Sequence, residues 1–235
     1  MTPATLHSLF EGLAWIVAIA VGWWARRRYF RETLAMPGRR YPLYLLLLWL
    51  GAVTGAYGLG DLNLWLAGVT GSGRSILGAI VGGIVVAEIY KAIFGIRGST
   101  GAVFVLPLSL AIAIGRIGCF LAGLDDYTYG TPTTMPWGVD FGDGIHRHPV
   151  QLYESLSMAA FAVFFFWLLR RRPHIATAGG FYLFAGFYGA QRFAWEFLKP
   201  YPAIAGPFNV FHLAAGALVL YAVVMLLRGG RHALA

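Results

Sequence analysis

An all-α fold of about seven transmembrane helices, with the N-terminus outside and the C-terminus cytoplasmic, is predicted by three features of the sequence. Of the 235 residues, 58% are hydrophobic and only 12% charged, more apolar surface than one soluble domain of this size can bury. The apolar residues gather into seven segments, at about 6–25, 43–60, 76–94, 102–122, 150–169, 177–198 and 208–227. Each is near the ~20 residues needed to cross the hydrocarbon. The basic residues crowd into alternate connections, which orients the whole chain. An open strand cannot satisfy its backbone in lipid, so the segments read as helices. Together they take up residues 1–235 as a single integral membrane domain.

The first segment carries its basic cluster, Arg26, Arg27, Arg28 and Arg31, after the apolar run. A secretory signal has the opposite order, so this segment is expected to stay as helix one. Six arginines lie between it and helix two. On helix three, Gly78, Gly82 and Gly83 are small residues that let neighbouring backbones approach. Glu88 and Lys91, near the cytoplasmic end of that helix, read as a local ion pair with a snorkelling lysine. Helix four carries Arg116 and leads into an outer loop with Asp125, Asp126, Asp140 and Asp143. Helix five ends on Arg170 to Arg172, helix six carries Arg192 and Glu196, and helix seven begins near His212 and ends on Arg228 and Arg231. Thirteen of the eighteen basic residues then face the cytoplasm, and the outer connections hold only Arg74, Arg147 and Lys199.

The formal charge of +8 does not point to nucleic acid, because the basic residues flank apolar segments instead of lining a polar face. The single cysteine, Cys119, cannot form an internal disulfide. His and Cys lack metal-ligand spacing, so neither a metal nor another cofactor is expected.

Arg116 and Arg192 are the two basic residues inside spans. Counted from the cytoplasmic ends of their helices, both rise about 21–23 Å at 1.5 Å per residue. They should therefore lie at one depth, in the outer third of the bilayer core. An arginine there is costly unless paired or functional. The plainer alternative pairs Arg192 with Glu196 one turn away and lets Arg116 reach towards water. Two guanidinium groups at matched depth suit a lipid phosphate, which each can bind through two parallel hydrogen bonds.

The stretch Gly115-Arg116-Ile117-Gly118-Cys119-Phe120, then Tyr129-Gly130, Pro136-Trp137-Gly138 and Arg147-His148-Pro149-Val150-Gln151-Leu152-Tyr153-Glu154, resembles the prolipoprotein diacylglyceryl transferase family. Arg192-Phe193 followed by Glu196 matches it too, and the resemblance covers roughly residues 71–200. It implies a multi-pass enzyme of the bacterial cytoplasmic membrane with its site towards the outer leaflet. Its donor would be phosphatidylglycerol, its acceptor the lipobox cysteine of a lipoprotein precursor, and its by-product glycerol phosphate.

The residues suit that chemistry. Fixed cations in a low-dielectric site neutralise a departing phosphate, a role for Arg116 and Arg192. The acceptor thiol also needs a base or a positive field. His148, assisted by Glu154, is the expected base, with His7 beside Glu11, or His212, as the next candidates. Arg147, Gln151, Tyr153, Glu196, Gly118, Cys119, Asp126 and Gly130 are the expected substrate-binding residues. Cys119 reads equally as a small packing residue. The chain also departs from the family. Its histidine-glycine-glycine element is Leu77-Gly78-Ala79 here, the asparagine three residues after the first arginine is Cys119, and Asp125 or Asp126 stands for a glutamate. The donor half of the site is retained and the acceptor half altered.

Overall fold

The structure, a computed structural model, describes residues 2–30 and 40–232. Arg31, Arg39 and the side chains of Arg40 and Arg231 lie outside that description. Among the described residues the chain forms helices α1 (Pro3–Tyr29), α2 (Arg40–Leu66), α3 (Ile76–Phe94), α4 (Ala102–Ala122), α5 (Val150–Arg171), α6 (Pro173–Glu196) and α7 (Val210–His232). Six of them are long and apolar enough to cross a membrane. The exception, α6, has 24 residues, but Gln191, Arg192 and Glu196 lower its hydropathy, and it lies among α4, α5 and α7. The seven expected segments are thus seven helices, most of them longer than their apolar cores.

Sequence chemistry sets several of the ends. Thr2 caps α1 by accepting from the Thr5 N–H, with Pro3 in the first turn, and Ser75 caps α3 by accepting from the Gly78 N–H. Gly95 stops α3 in the left-handed region at φ 65°, where a side chain would be strained. Leu, Trp and Ile side chains such as Trp15, Ile19, Trp49, Ile93, Leu156 and Leu220 are exposed around the bundle, the surface that lipid covers.

α4 and α5 are the most enclosed of the six apolar spans, and α1 lies along α4. α2 pairs with α3 through glycines. A Cβ on Gly78 would lie 2.2 Å from the Gly55 carbonyl oxygen, and one on Gly82 2.1 Å from that of Gly51. Gly83 differs from the expectation: a Cβ there would meet nothing within 4 Å, and the residue lines a largely apolar cavity of about 320 Å³ between α2–α3 and the helices opposite. The Glu88–Lys91 pair forms at 2.9 Å, but Lys91 is buried and does not snorkel. The Tyr221 hydroxyl also donates to Glu88, which draws the pair inward.

Between α4 and α5, a 3-10 turn (Gly123–Asp126) leads into two short antiparallel strands, β1 (Val139–Asp140) and β2 (His146–Arg147), with Val139 opposite Arg147. This loop folds over one end of the bundle. The Thr131 N–H donates to the Leu198 carbonyl at 2.6 Å, and the His148 N–H donates to the Thr131 carbonyl at 3.1 Å. A Cβ at Gly130 would sit 2.3 Å from the His148 carbonyl oxygen, so only glycine permits this approach.

Candidate active site

Four segments converge under the loop on one carboxylate. Glu154, in the first turns of α5, is 1% exposed and is contacted by Arg116 from α4, Arg192 from α6 and Lys199 from just beyond α6. Arg116 Nε faces one carboxylate oxygen, while Arg192 Nη1 and Lys199 Nζ share the other, the lysine at 2.9 Å. Arg192 Nη2 turns to Glu196 at 2.9 Å, and Asn209 Nδ2 donates to Glu196 from the start of α7 at 3.4 Å. The two arginines thus meet on one carboxylate. Arg192 pairs with two carboxylates, not with Glu196 alone.

Three cations against two carboxylates leave this buried cluster with one positive charge in excess. An unbalanced charge out of water costs several kcal/mol, on the order found for buried ions, unless a counter-ion joins it. Donors remain for one. Beyond Glu154, Arg116 has only the weak sulfur acceptor of Cys119, at 3.8 Å from Nη1, and Arg192 Nε is buried without a hydrogen-bond partner. Both amide atoms of Gln151, which is fully buried, and of Gln191 also lack protein partners, as does the Tyr188 hydroxyl. Buried polar atoms are normally satisfied, so these are poised for water or a polar ligand.

The other expected residues occupy two places apart from the cluster. At the mouth of α5, His148 Nδ1 lies 3.3 Å from the Tyr153 hydroxyl, which accepts from Trp137 Nε1 at 2.8 Å. Tyr153 packs against Trp195. Glu154 is absent from the contacts of His148, because α5 turns the carboxylate inward to the three cations, so the expected His148–Glu154 relay does not form. Arg147 holds Asp143 through two bonds of 2.7 Å and lies over the Tyr129 ring, a loop-fastening arrangement. That guanidinium holds the Asp143 carboxyl below the usual carboxylate range. The second place is the contact of α1 with α4. There a Cβ on Gly118 would fall 2.7 Å from Phe10 Cβ, which marks Gly118 as a packing residue.

His7 and Glu11 do not form the expected pair. Glu11 takes Arg74 at 2.9 Å, and His7 Nδ1 faces Asp126 at 3.6 Å. Donor atoms of His7, Cys119 and Asp126 all lie within 4.8 Å of one another, a proximity that their spacing along the chain hides. His212 is enclosed by Phe193, Phe197 and Phe208, and its Nδ1 lies 3.1 Å from the Asn209 side-chain oxygen. Lys199 and Asn209 escaped the sequence reading. Lys199 counted there as an outer-loop charge, yet it is 5% exposed and its N–H donates to the Glu196 carbonyl, which continues the turn of α6. Its apolar neighbours Phe197 and Leu198 are the one local hint that it points inward.

Comparison with known proteins identifies the family. The family model for prolipoprotein diacylglyceryl transferase matches residues 9–228. A phosphatidylglycerol–prolipoprotein diacylglyceryl transferase of Teredinibacter turnerae is 35% identical over 156 residues, which cover 64% of this chain and 52% of that protein. The protein of the same name from Geobacter sulfurreducens is 33% identical, over 69% of this chain and 62% of its own length. The chain thus spans between half and two thirds of these two relatives. Another of that name from Nitratidesulfovibrio vulgaris is 29% identical over 96% of this chain and 90% of its own length. With a match that runs through all seven helices and includes both buried arginines, this chain belongs to the prolipoprotein diacylglyceryl transferase family.

Proposed function

We propose that the protein moves a diacylglyceryl group from phosphatidylglycerol, or a similar anionic phospholipid, to an acceptor thiol and releases glycerol phosphate. The acceptor of the related enzymes, a prolipoprotein, is the acceptor proposed here. The observation that carries this reading is the excess positive charge of the Arg116–Arg192–Lys199 cluster, buried and with donors unused. A phosphodiester anion supplies the missing negative charge. As the bond from phosphate to glyceryl carbon breaks, negative charge grows on the leaving oxygen, and fixed guanidinium donors favour that state over the bound diester. Glu154 is a positioning residue in this scheme. It holds three cations in register and leaves their remaining N–H groups to the phosphate.

Incubation of the purified protein with phosphatidylglycerol and a peptide bearing one lipobox cysteine tests this directly. Mass spectrometry should find a diacylglyceryl thioether on the peptide and an equal amount of glycerol phosphate. Phospholipid retained by the protein with neither product formed would identify a lipid-binding protein without turnover, a reading supported by the loss of the helix-three histidine. The site belongs at the outer face of the bacterial cytoplasmic membrane, with the N-terminus outside. Reporter fusions after Arg40 and Arg172 should accordingly read as cytoplasmic and one after Gly144 as external. A cytoplasmic signal from Gly144 would reverse the orientation and put the site on the inner leaflet.

A further inference from the structure

We infer that His7, oriented by Asp126, is the general base that takes the proton from the acceptor thiol, an inference that rests on the transfer proposed above. The reaction needs such a group, and the carboxylates of the phosphate cluster are committed to its cations. Glu154 and Glu196 are buried in ion pairs with cations, so neither is free to accept a proton from an incoming thiol.

The chain has six histidines, and the side chain of His232 lies outside the described residues. His146 and His174 are exposed, His148 contacts Tyr153, and His212 is enclosed by aromatic rings and Asn209. Among the described residues, His7 is the one histidine with a carboxylate oxygen within 4 Å of a ring nitrogen. Its Nδ1 lies 3.6 Å from Asp126 Oδ1, and their side chains are 26% and 17% exposed. Neither side chain is closed off from the surface. His7 Nδ1 is buried with no hydrogen-bond partner of its own, and catalytic hydrogen bonds are often long before substrate arrives. A proton on Nδ1 directed at Asp126 leaves Nε2 as the nitrogen that accepts the thiol proton.

The position relative to the arginines is what a displacement at carbon demands. The thiol sulfur must approach from the side opposite the leaving oxygen, so base and phosphate clamp must flank the reacting carbon. Cys119 Sγ, within 4.8 Å of the His7–Asp126 donor atoms, lies 3.8 Å from Arg116 Nη1 and marks the short interval between base and clamp. α1 is pressed onto α4 one turn further along, where Phe10 meets Gly118, and this holds the imidazole in place. The other charges nearby are otherwise engaged. Glu11 pairs with Arg74, Asp125 is exposed, and Arg116 is bound to Glu154. In the step itself the thiol proton passes to His7 Nε2 and the sulfur bonds to the glyceryl carbon. The carbon–oxygen bond breaks with its electron pair on the phosphate oxygen, and the imidazolium returns the proton to the released glycerol phosphate. The same three side chains offer N, S and O donors to a cation, but the guanidinium beside the sulfur disfavours a divalent ion there.

The test uses the full chain in phosphatidylglycerol-containing micelles. Turnover is followed against pH with a cysteine peptide and with its selenocysteine analogue, and phosphatidylglycerol binding is measured in parallel. His7→Gln should lower turnover by roughly 10²–10⁴-fold, bind phosphatidylglycerol like the parent, and lose the acidic limb of the pH profile. The selenol is ionised at neutral pH and should recover most of the loss, which a merely structural role for His7 would not allow. Asp126→Asn should give a smaller loss of turnover than His7→Gln, with phosphatidylglycerol binding unchanged. An unchanged rate and profile in His7→Gln, loss of its phospholipid binding, the same signature in His148→Ala in place of His7→Gln, or loss of parent activity on chelation each overturns the inference. A parent that forms no thioether and no glycerol phosphate instead overturns the transferase reading, and the base falls with it.

Discussion

Replacing Arg192 by lysine is expected to reduce diacylglyceryl transfer by about 10²–10³-fold, the range seen when one preorganised transition-state donor is removed. The substitution keeps the charge, so the loss comes from geometry. Arg192 reaches Glu154 with one terminal nitrogen and Glu196 with the other, while its Nε remains unused. Lysine is a point charge on a flexible stem and can serve one carboxylate at a time, with no planar fork left to present to a phosphate. Arg116→Lys should fall by a similar factor, since only one of its nitrogens is committed to Glu154. The matching Arg→Gln variants should lose phosphatidylglycerol binding as well as turnover. Turnover and lipid binding in micelles, compared at equal folded fraction, measure this. Folded Gln variants that bind anionic phospholipid as tightly as the parent would falsify the clamp.

Glu154→Gln should be the most destabilising single change in the site, by about 3–5 kcal/mol, the cost of breaking a buried ion pair from one side. The carboxylate is 1% exposed and faces three cations, so its removal raises the cluster's excess from one positive charge to two. Water cannot readily screen that excess. An anionic lipid can, and the variant's thermal midpoint should therefore rise more steeply with added phosphatidylglycerol than the parent's, as expected for a ligand that binds only the folded state. Thermal unfolding with phosphatidylglycerol and with a zwitterionic lipid separates the two effects. A variant that melts at the parent temperature in both lipids would show that Glu154 does not organise the cations.

The cluster also explains how Glu154 differs from the acid–base role that its place beside His148 in the sequence suggests. They are six positions apart and share the mouth of one helix. Yet the rotation of α5 turns Glu154 to the bundle interior and leaves His148 with Tyr153 at the rim. In the same way, the four-residue spacing of His7 and Glu11 predicts a pair. The helices packed against α1 offer each a better partner, Asp126 for the imidazole and Arg74 for the carboxylate.

The sequence by itself determined the membrane class, the seven helices, the regular spacing that sets Arg116 and Arg192 at similar distances along their helices, and the family. Each of these depends on local quantities: the length of an apolar run, the rise per residue, and a motif read along the chain. Only the tertiary structure decided that Lys199 belongs with the arginines, that Gly83 faces a cavity while Gly78 and Gly82 meet α2, and that His7, Cys119 and Asp126 stand together. These depend on how each helix is rotated about its axis and which neighbour it meets. The 3.6-residue period gives little guidance in a membrane bundle, where the lipid-facing and protein-facing sides of a helix are both apolar. The charges are brought together across segments distant in the chain, 38 residues for Glu154 with Arg192 and more than a hundred for His7 with Asp126, and the packing of α1 on α4 and of α5 on α6 is what places them.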